Sequence, residues 1–175
     1  MKEYILNVNE LKMACRFLKA GDRVLLSGVV FTARDAAHKR IFEIIEKGEQ
    51  LPFDICGSVI YYAGPTPTPP SLPIGSCGPT TSSRMDRFAP KLYDMGMVAS
   101  IGKGERKKEV IDAIIRNGAA YLCAIGGAGA LASKCITHCD VVAFDDLGCE
   151  SIKKLMFDKF PLTVAIDSCG NNIFR

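Results

Sequence analysis

The sequence lacks most of the features that would assign it to a common class of metal or redox protein. It has no tryptophan, and its histidines are His38 and His138 alone. None of its eight cysteines forms a C-x-x-C pair, so the usual zinc, iron–sulfur and thioredoxin spacings are missing. A metal site built from Cys135, His138 and Cys139 stays open as an alternative, although its spacing matches no common pattern. We expect the cysteines to be thiols in a reducing compartment.

Strong charge and long apolar runs are also missing. A net charge of +3 over 175 residues does not indicate nucleic acid or an anionic membrane as a partner. The longest basic run, Arg106 to Lys108, falls on a predicted helix, where a solvated face is the favoured interpretation. No apolar run could cross a bilayer, and the N-terminus has no signal-peptide pattern. We therefore expect a cytoplasmic protein with no nucleic-acid or membrane partner.

What the sequence does contain is an alternation of apolar strands with amphipathic helices, which is typical of the α/β class. The length predicts a single domain over residues 1–175. Strands are predicted at 4–8, 23–32, 58–63, 97–101, 120–125, 140–144 and 162–166. Helices are predicted from Asn9 to Leu18 and at 33–47, 84–95, 105–117 and 148–155. Nearly continuous apolar strands favour a covered sheet, with a mixed or second small sheet near the proline-rich loop 64–70.

The segment from Gly75 to Asp86 is the most informative one. Gly78 and Pro79 predict a turn, four hydroxyl residues follow from Thr80 to Ser83, and Arg84 comes next. Hydroxyls, helix N-terminal amides and a guanidinium together suit a carboxylate or a phosphate. The alternative interpretation is a well-capped surface helix, because Ser and Thr are common N-cap residues.

Three more candidate groups stand where predicted strands end. Arg34 follows the strand 23–32, although it could instead be an ordinary charged residue paired with Asp35. Lys103 lies between two glycines, which permits a ligand to approach the backbone. Gly126 to Gly129 lacks the G-x-G-x-x-G spacing, so close packing is favoured over nucleotide binding. His38 is interpreted as a core histidine.

Together these cations and hydroxyls predict a site for a small molecule with two anionic ends. The sequence shows no carboxylate–histidine pair whose spacing suggests a complete acid–base system. We therefore interpret the site as half of a composite one.

Five segments carry a family resemblance. They are VLLSGVVFTARDAAHKR (24–40), VIYYAGPTP (59–67), GPTTSSRMD (78–86), SIGKG (100–104) and VVAFDDLGCESI (141–152). In these segments, which span nearly the whole chain in order, the sequence resembles the β subunit, or C-terminal domain, of class I fumarate hydratases and L(+)-tartrate dehydratases. These are iron–sulfur hydro-lyases.

The resemblance implies a swivelling β/β/α domain, layered with mixed sheets and covering helices. It implies reversible addition of water to a dicarboxylate, fumarate to malate above all, with tartrate or a methylated relative as alternatives. The [4Fe–4S] cluster would be held by cysteines of a partner α subunit, with one open iron as Lewis acid. The expected assembly is an (αβ)2 hetero-oligomer, or a homodimer when this chain is isolated.

The resemblance also assigns roles to residues of this chain and no metal ligand to it. Thr80 would be the base that takes the proton from the carbon beside a carboxylate. Arg34 and Arg84 would clamp the substrate carboxylates, and Lys103 would add positive charge. Arg84 and Lys103 would also support catalysis by Thr80. Thr81 and Ser82 would orient the loop or hydrogen-bond the substrate. The alternative outside enzymes is a non-catalytic dicarboxylate-binding module.

Overall fold

The computed structural model describes residues 1–174, which form seven strands and five α-helices. The strands are β1 (Glu3–Asn7), β2 (Arg23–Thr32), β3 (Val59–Tyr61), β4 (Ala99–Gly102), β5 (Ala120–Cys123), β6 (Ile136–Ala143) and β7 (Ile152–Ile166). The helices are α1 (Val8–Ala14), α2 (Asp35–Lys47), α3 (Ala89–Asp94), α4 (Lys108–Asn117) and α5 (Gly129–Ala132). None of these helices is long and apolar enough to cross a membrane.

The strands form one mixed sheet in the order β1-β2-β3-β4-β5-β7-β6. Strands β1 to β5 are parallel to one another, and β7 is antiparallel to β5, β6 and β2. Because β7 pairs with both β2 and β5, the strands β2, β3, β4, β5 and β7 close into a ring. The α/β class is confirmed, and residues 1–174 form a single mixed sheet without a second small one.

Two apolar clusters cover the two faces of the strands. Alternate residues of β3 show the division, since Val59 and Tyr61 belong to one cluster and Ile60 to the other. The first cluster includes residues from all five strands of the ring, and the second packs under α2, α3 and α4. Both faces are therefore buried, which explains the nearly continuous apolar strands of the sequence.

Helix ends follow the chain's capping residues. Gly48 and Gly118 end α2 and α4 in the left-handed conformation, with φ of 67° and 59°. The predicted cap Asn9 is wrong by two residues. Asn7 is the cap, and Glu10 bonds back to its amide at 2.7 Å as a capping box.

Two predicted helices have a different structure. The segment 148–155 contributes to a 3₁₀ turn at Asp145–Glu150 and to the start of β7. A helix was predicted because the spacing of Ile152 and Leu155 suits a helix as well as a strand whose burial is irregular. The helix predicted at 84–95 is split into a 3₁₀ turn at Ser82–Met85 and α3. Pro90 lies in the first turn of α3, where its missing amide is tolerated, and a continuous helix would have required that amide.

Candidate functional site

The predicted groups meet at one edge of the sheet, the edge formed by the carboxyl ends of its parallel strands. Strands β2 to β5 are parallel, so their carboxyl ends lie side by side. Arg34 follows β2, Gly64 follows β3, Lys103 follows β4 and Gly126 follows β5. This edge is where open α/β sheets bind ligands.

The segment Gly78–Arg84 crosses this edge and is pinned to successive strand ends. Pro79 pairs with Ala63, and the Thr80 amide donates to the Tyr62 carbonyl at 2.7 Å. Thr81 pairs with Lys103, whose carbonyl accepts from the Ser82 amide at 2.9 Å. Thr80 and Thr81 are therefore extended and bound to the ends of β3 and β4, whereas Ser82 and Ser83 begin the 3₁₀ turn. The hydroxyl of Thr81 makes no capping bond to that turn, so the predicted side-chain N-cap is not formed.

Thr80 is partly exposed, Thr81 is exposed, and Lys103 is partly exposed. Within residues 1–174, the Thr80 hydroxyl and the Lys103 ammonium make no hydrogen bond or ion pair to the protein. The Lys103 side chain lies over Gly126, where an added Cβ would be 3.4 Å from its Cδ. One hydroxyl and one ammonium are thus left available to a ligand.

Ser82 differs from its two neighbours because it is fully buried. Its Oγ accepts from the Lys103 amide at 3.1 Å and is hydrogen-bonded to the Tyr121 hydroxyl at 2.9 Å. It also occupies the space above Gly102, where an added Cβ would overlap it. Of the two roles expected for Ser82, this geometry favours orienting the loop over contacting a substrate.

Both arginines are held by carboxylates of the chain. Arg84 is paired with Asp35, and Arg34 lies 3.5 Å from Glu150 through its Nη2. The pairing of Arg34 with its neighbour Asp35, considered from the sequence, is therefore wrong. Glu150 also accepts from the Ala36 amide at 2.9 Å and so caps the start of α2. Neither of the two observed pairings was identified from the sequence, since only the tertiary fold brings these acids to the arginines.

Gly64 permits the position of Arg34. A Cβ at residue 64 would lie 2.6 Å from Nη1 of Arg34 and 3.2 Å from the Cys149 carbonyl. The guanidinium therefore packs directly on the backbone between β3 and the proline-rich loop. Gly129 has a similar role against the motif segment (Gly75 to Asp86), because a Cβ at residue 129 would lie 2.9 Å from the Gly78 amide. This supports the packing interpretation of the glycine-rich turn.

A buried ion pair lies below the site. Arg106 is buried, and its Nε donates to Asp86 Oδ1 at 2.7 Å while Nη1 donates to Ser100 Oγ at 3.0 Å. Asp86 Oδ2 accepts from the Lys107 amide at 2.9 Å. The interpretation of Arg106 as part of a solvated helix face is therefore wrong. The pair joins the end of the motif segment to the loop that carries Lys103.

His38 is a core residue, as the sequence indicated. Its side chain is fully buried, its ring stacks on Phe88 with centroids 5.4 Å apart, and Nδ1 lies 2.8 Å from the Arg34 carbonyl. Because a carbonyl only accepts, Nδ1 carries the proton. Burial lowers the pKa of His38 to about 4, despite the carbonyl and the nearby Asp35.

This shift predicts a loss of stability in mild acid. Between pH 6.5 and 4 the unfolded chain binds a proton at His38 that the folded chain does not, so the free energy of unfolding falls as the pH falls. The loss attributable to His38 is about 2 kcal/mol at pH 5 and about 3 kcal/mol at pH 4. Urea unfolding at a series of pH values measures it.

The control uses the other histidine. A His38→Gln variant is less stable at pH 7 but loses this part of the pH dependence. His138→Gln makes the same substitution on the exposed surface and controls for the change itself. Equal slopes for His38→Gln and the parent between pH 6.5 and 4 would refute the assignment.

Residues 1–174 contain no group of three or more His, Cys, Asp and Glu side chains arranged to hold a metal ion. The alternative site at Cys135, His138 and Cys139 is not formed. His138 is exposed and lies 3.0 Å from Asp140, whereas Cys139 packs against the core. Adjacent residues of a strand point to opposite faces, so these two cannot share one ion.

The fold and the candidate site together define a class: an α/β domain with basic and hydroxyl side chains gathered at the carboxyl ends of its parallel strands. A family comparison narrows it. The family model described as the fumarase C-terminus matches residues 1–175, and the chain belongs to that family.

Three relatives illustrate the family. The chain is 41% identical to the anaerobic class I fumarate hydratase of Escherichia coli (strain K12) and 40% identical to fumarate hydratase 2 of Leishmania major. These matches cover 87% and 88% of the chain but 28% of each relative. It is 42% identical to a protein of Methanocaldococcus jannaschii named putative L(+)-tartrate dehydratase subunit beta, over 90% of the chain and 84% of that protein. The chain thus spans little more than a quarter of the fumarate hydratases.

Proposed function

We propose that this chain is a single domain, residues 1–175, that works as the β subunit of a [4Fe–4S]-dependent hydro-lyase. It reversibly adds water to a dicarboxylate, fumarate to malate in the first instance. The observation that supports the proposal most directly is the meeting of Thr80, Arg84, Lys103 and Arg34 at one sheet edge, in a chain of the fumarase C-terminal family. In the proposal the fold is the swivelling β/β/α domain of that family.

Arg84, Arg34 and Lys103 bind the two carboxylates of the substrate in this proposal. A guanidinium matches a carboxylate with two parallel N–H donors, whereas the Lys103 ammonium acts as a point charge. The carboxylates of Asp35 and Glu150 balance the charges of Arg84 and Arg34, so the three cations together keep one uncompensated positive charge. That excess favours a dianion held by directional hydrogen bonds over nonspecific anion binding.

Thr80 takes the proton from the carbon beside a substrate carboxylate. A threonine hydroxyl is a weak base at its ordinary pKa, so it requires positive charge nearby and exclusion of water. Lys103 provides an ammonium on the strand end that pairs with Thr81. Residues of a partner subunit exclude the water, and Thr81 completes the hydrogen bonds to the substrate.

The cluster belongs to the partner in this proposal. The described residues offer no set of ligands for it. The relative named as a subunit beta supports a divided enzyme. The proposed assembly is a cytoplasmic (αβ)2 hetero-oligomer, with a homodimer of this chain when it is isolated.

L(+)-tartrate is the second candidate substrate. The observation that favours it is the size of the M. jannaschii relative, of which the chain covers 84%. Malate and L(+)-tartrate differ by one hydroxyl group. An enzyme discriminates between two such substrates by the hydrogen bonds that its pocket offers to that hydroxyl or lacks.

The test combines the isolated chain and the reconstituted complex. The chain is mixed anaerobically with a cluster-bearing α subunit and assayed by absorbance with fumarate, malate and L(+)-tartrate. We expect no turnover from the chain alone and clear turnover from the mixture. Micromolar binding of a dicarboxylate to the chain alone by calorimetry, with no turnover in the mixture, would replace the enzyme proposal by the binding module.

A further inference from the structure

One side of the Arg84 guanidinium is already occupied by Asp35. Nε of Arg84 donates to Asp35 Oδ1 at 3.0 Å, and Nη2 lies 2.7 Å from Oδ2. A guanidinium has five N–H donors, and this pair uses the one on Nε, whereas the Nη2–Oδ2 contact is an ion pair without hydrogen-bond geometry. Within residues 1–174, the donors of Nη1 and Nη2 make no hydrogen bond to the protein. The end of the guanidinium therefore keeps a full bidentate edge.

Asp35 is itself fixed. It is the first residue of α2, directly after Arg34, and its neighbour Ala36 is held by Glu150 at 2.9 Å. Arg84, in contrast, belongs to a short 3₁₀ turn, and its side chain is 48% exposed. A long, half-exposed arginine samples many rotamers, and ordering it on binding reduces affinity. Its pairing with a helix residue removes part of that cost in advance.

We infer that Asp35 is the positioning residue of the site. It holds Arg84 by the side edge so that the end edge is directed at a carboxylate of the substrate. This inference rests on the proposed function, because it concerns how the dicarboxylate is bound. Asp35 itself touches no substrate in it and acts through Arg84.

The opposite role, in which Asp35 competes with the substrate for Arg84, makes a different prediction. Removing a competing negative charge lowers KM, both because Arg84 is released and because the site becomes more positive. Removing a positioning residue raises KM although the site becomes more positive. The sign of the change in KM therefore separates the two roles.

The experiment compares Asp35→Asn with Asp94→Asn in the reconstituted complex. Asp94 pairs with Arg116 side-on through the same atoms, Nε to Oδ1 and Nη2 to Oδ2 at 2.7 Å each, between α3 and α4. We expect the KM for fumarate to rise about tenfold in Asp35→Asn, the equivalent of one well-directed charged hydrogen bond, with a smaller change in kcat. Asp94→Asn should keep the parental KM, and Asp35→Glu should restore KM to within about threefold.

Thermal unfolding of both Asn variants accounts for structural effects, since Asp35 also stabilises the first turn of α2. A rise in KM with at least half of the variant protein folded supports the inference. An unchanged or lowered KM in Asp35→Asn, with normal turnover by the parent complex, would overturn the role of Asp35 alone. A parent complex that hydrates none of the dicarboxylates would overturn the proposed function together with this role.

Discussion

A Thr80→Val variant, assembled with a cluster-bearing partner, is expected to lose about 10²- to 10⁴-fold in kcat, the range for loss of a general base. Valine keeps the shape of threonine and removes only the hydroxyl. The Thr80 hydroxyl has no protein partner within residues 1–174, so its removal leaves no buried donor or acceptor unpaired. The backbone contact of Thr80 to the Tyr62 carbonyl remains, so the loop keeps its place.

Steady-state kinetics with malate and fumarate measure the effect, and KM should change little because the carboxylates are bound elsewhere. Thr80→Ser keeps the hydroxyl and should recover most of the activity. Thr137→Val, which changes an exposed threonine on β6, controls for the substitution itself. A Thr80→Val complex with parental kcat would show that another group, on this chain or its partner, accepts the proton.

The sequence was sufficient to predict that the candidate groups lie together because several of them follow apolar strands. Arg34, Lys103 and Gly126 were each placed at a strand end, and parallel strands bring such ends together. The strand 23–32 was predicted with its observed bounds, since its apolar run is long, begins after Arg23 and ends before Arg34. The order of the strands and the ring closed by β7 could not be predicted, because they depend on pairings between residues far apart in the chain.

The charged partners of the site could not be predicted for the same reason. Asp35 is adjacent to Arg34 in sequence, yet it binds Arg84, because the first turn of α2 directs the two neighbouring side chains differently. Arg106 begins a basic run at the start of a predicted helix, which indicates a solvated helix face. Its burial against Asp86 depends on the crossing of the motif segment over β4, a feature that no local pattern shows.

The buried pair leads to the largest expected change in stability. Arg106→Met is expected to lower the free energy of unfolding by about 3–5 kcal/mol, because it leaves the Asp86 carboxylate buried without its cation. The side chains of Arg106 and Asp86 are 0% and 3% exposed. The lost contacts include the hydroxyl of Ser100 and the face of the Tyr121 ring, 4.8 Å from the guanidinium carbon.

Two further variants separate charge from packing. In the double variant Asp86→Leu/Arg106→Met no charge is left unpaired, so the protein should be more stable than Arg106→Met alone. Arg40→Met breaks an exposed pair with Asp146 and should have a far smaller effect. Urea unfolding of the variants measures all three changes. A double variant as unstable as Arg106→Met would show that the shape and hydrogen bonds of Arg106 stabilise the loop, and that the penalty of an unpaired Asp86 is minor.

The same double variant tests whether the ion pair also orients Lys103. A folded complex with a raised KM would show that the ion pair supports the geometry of the site.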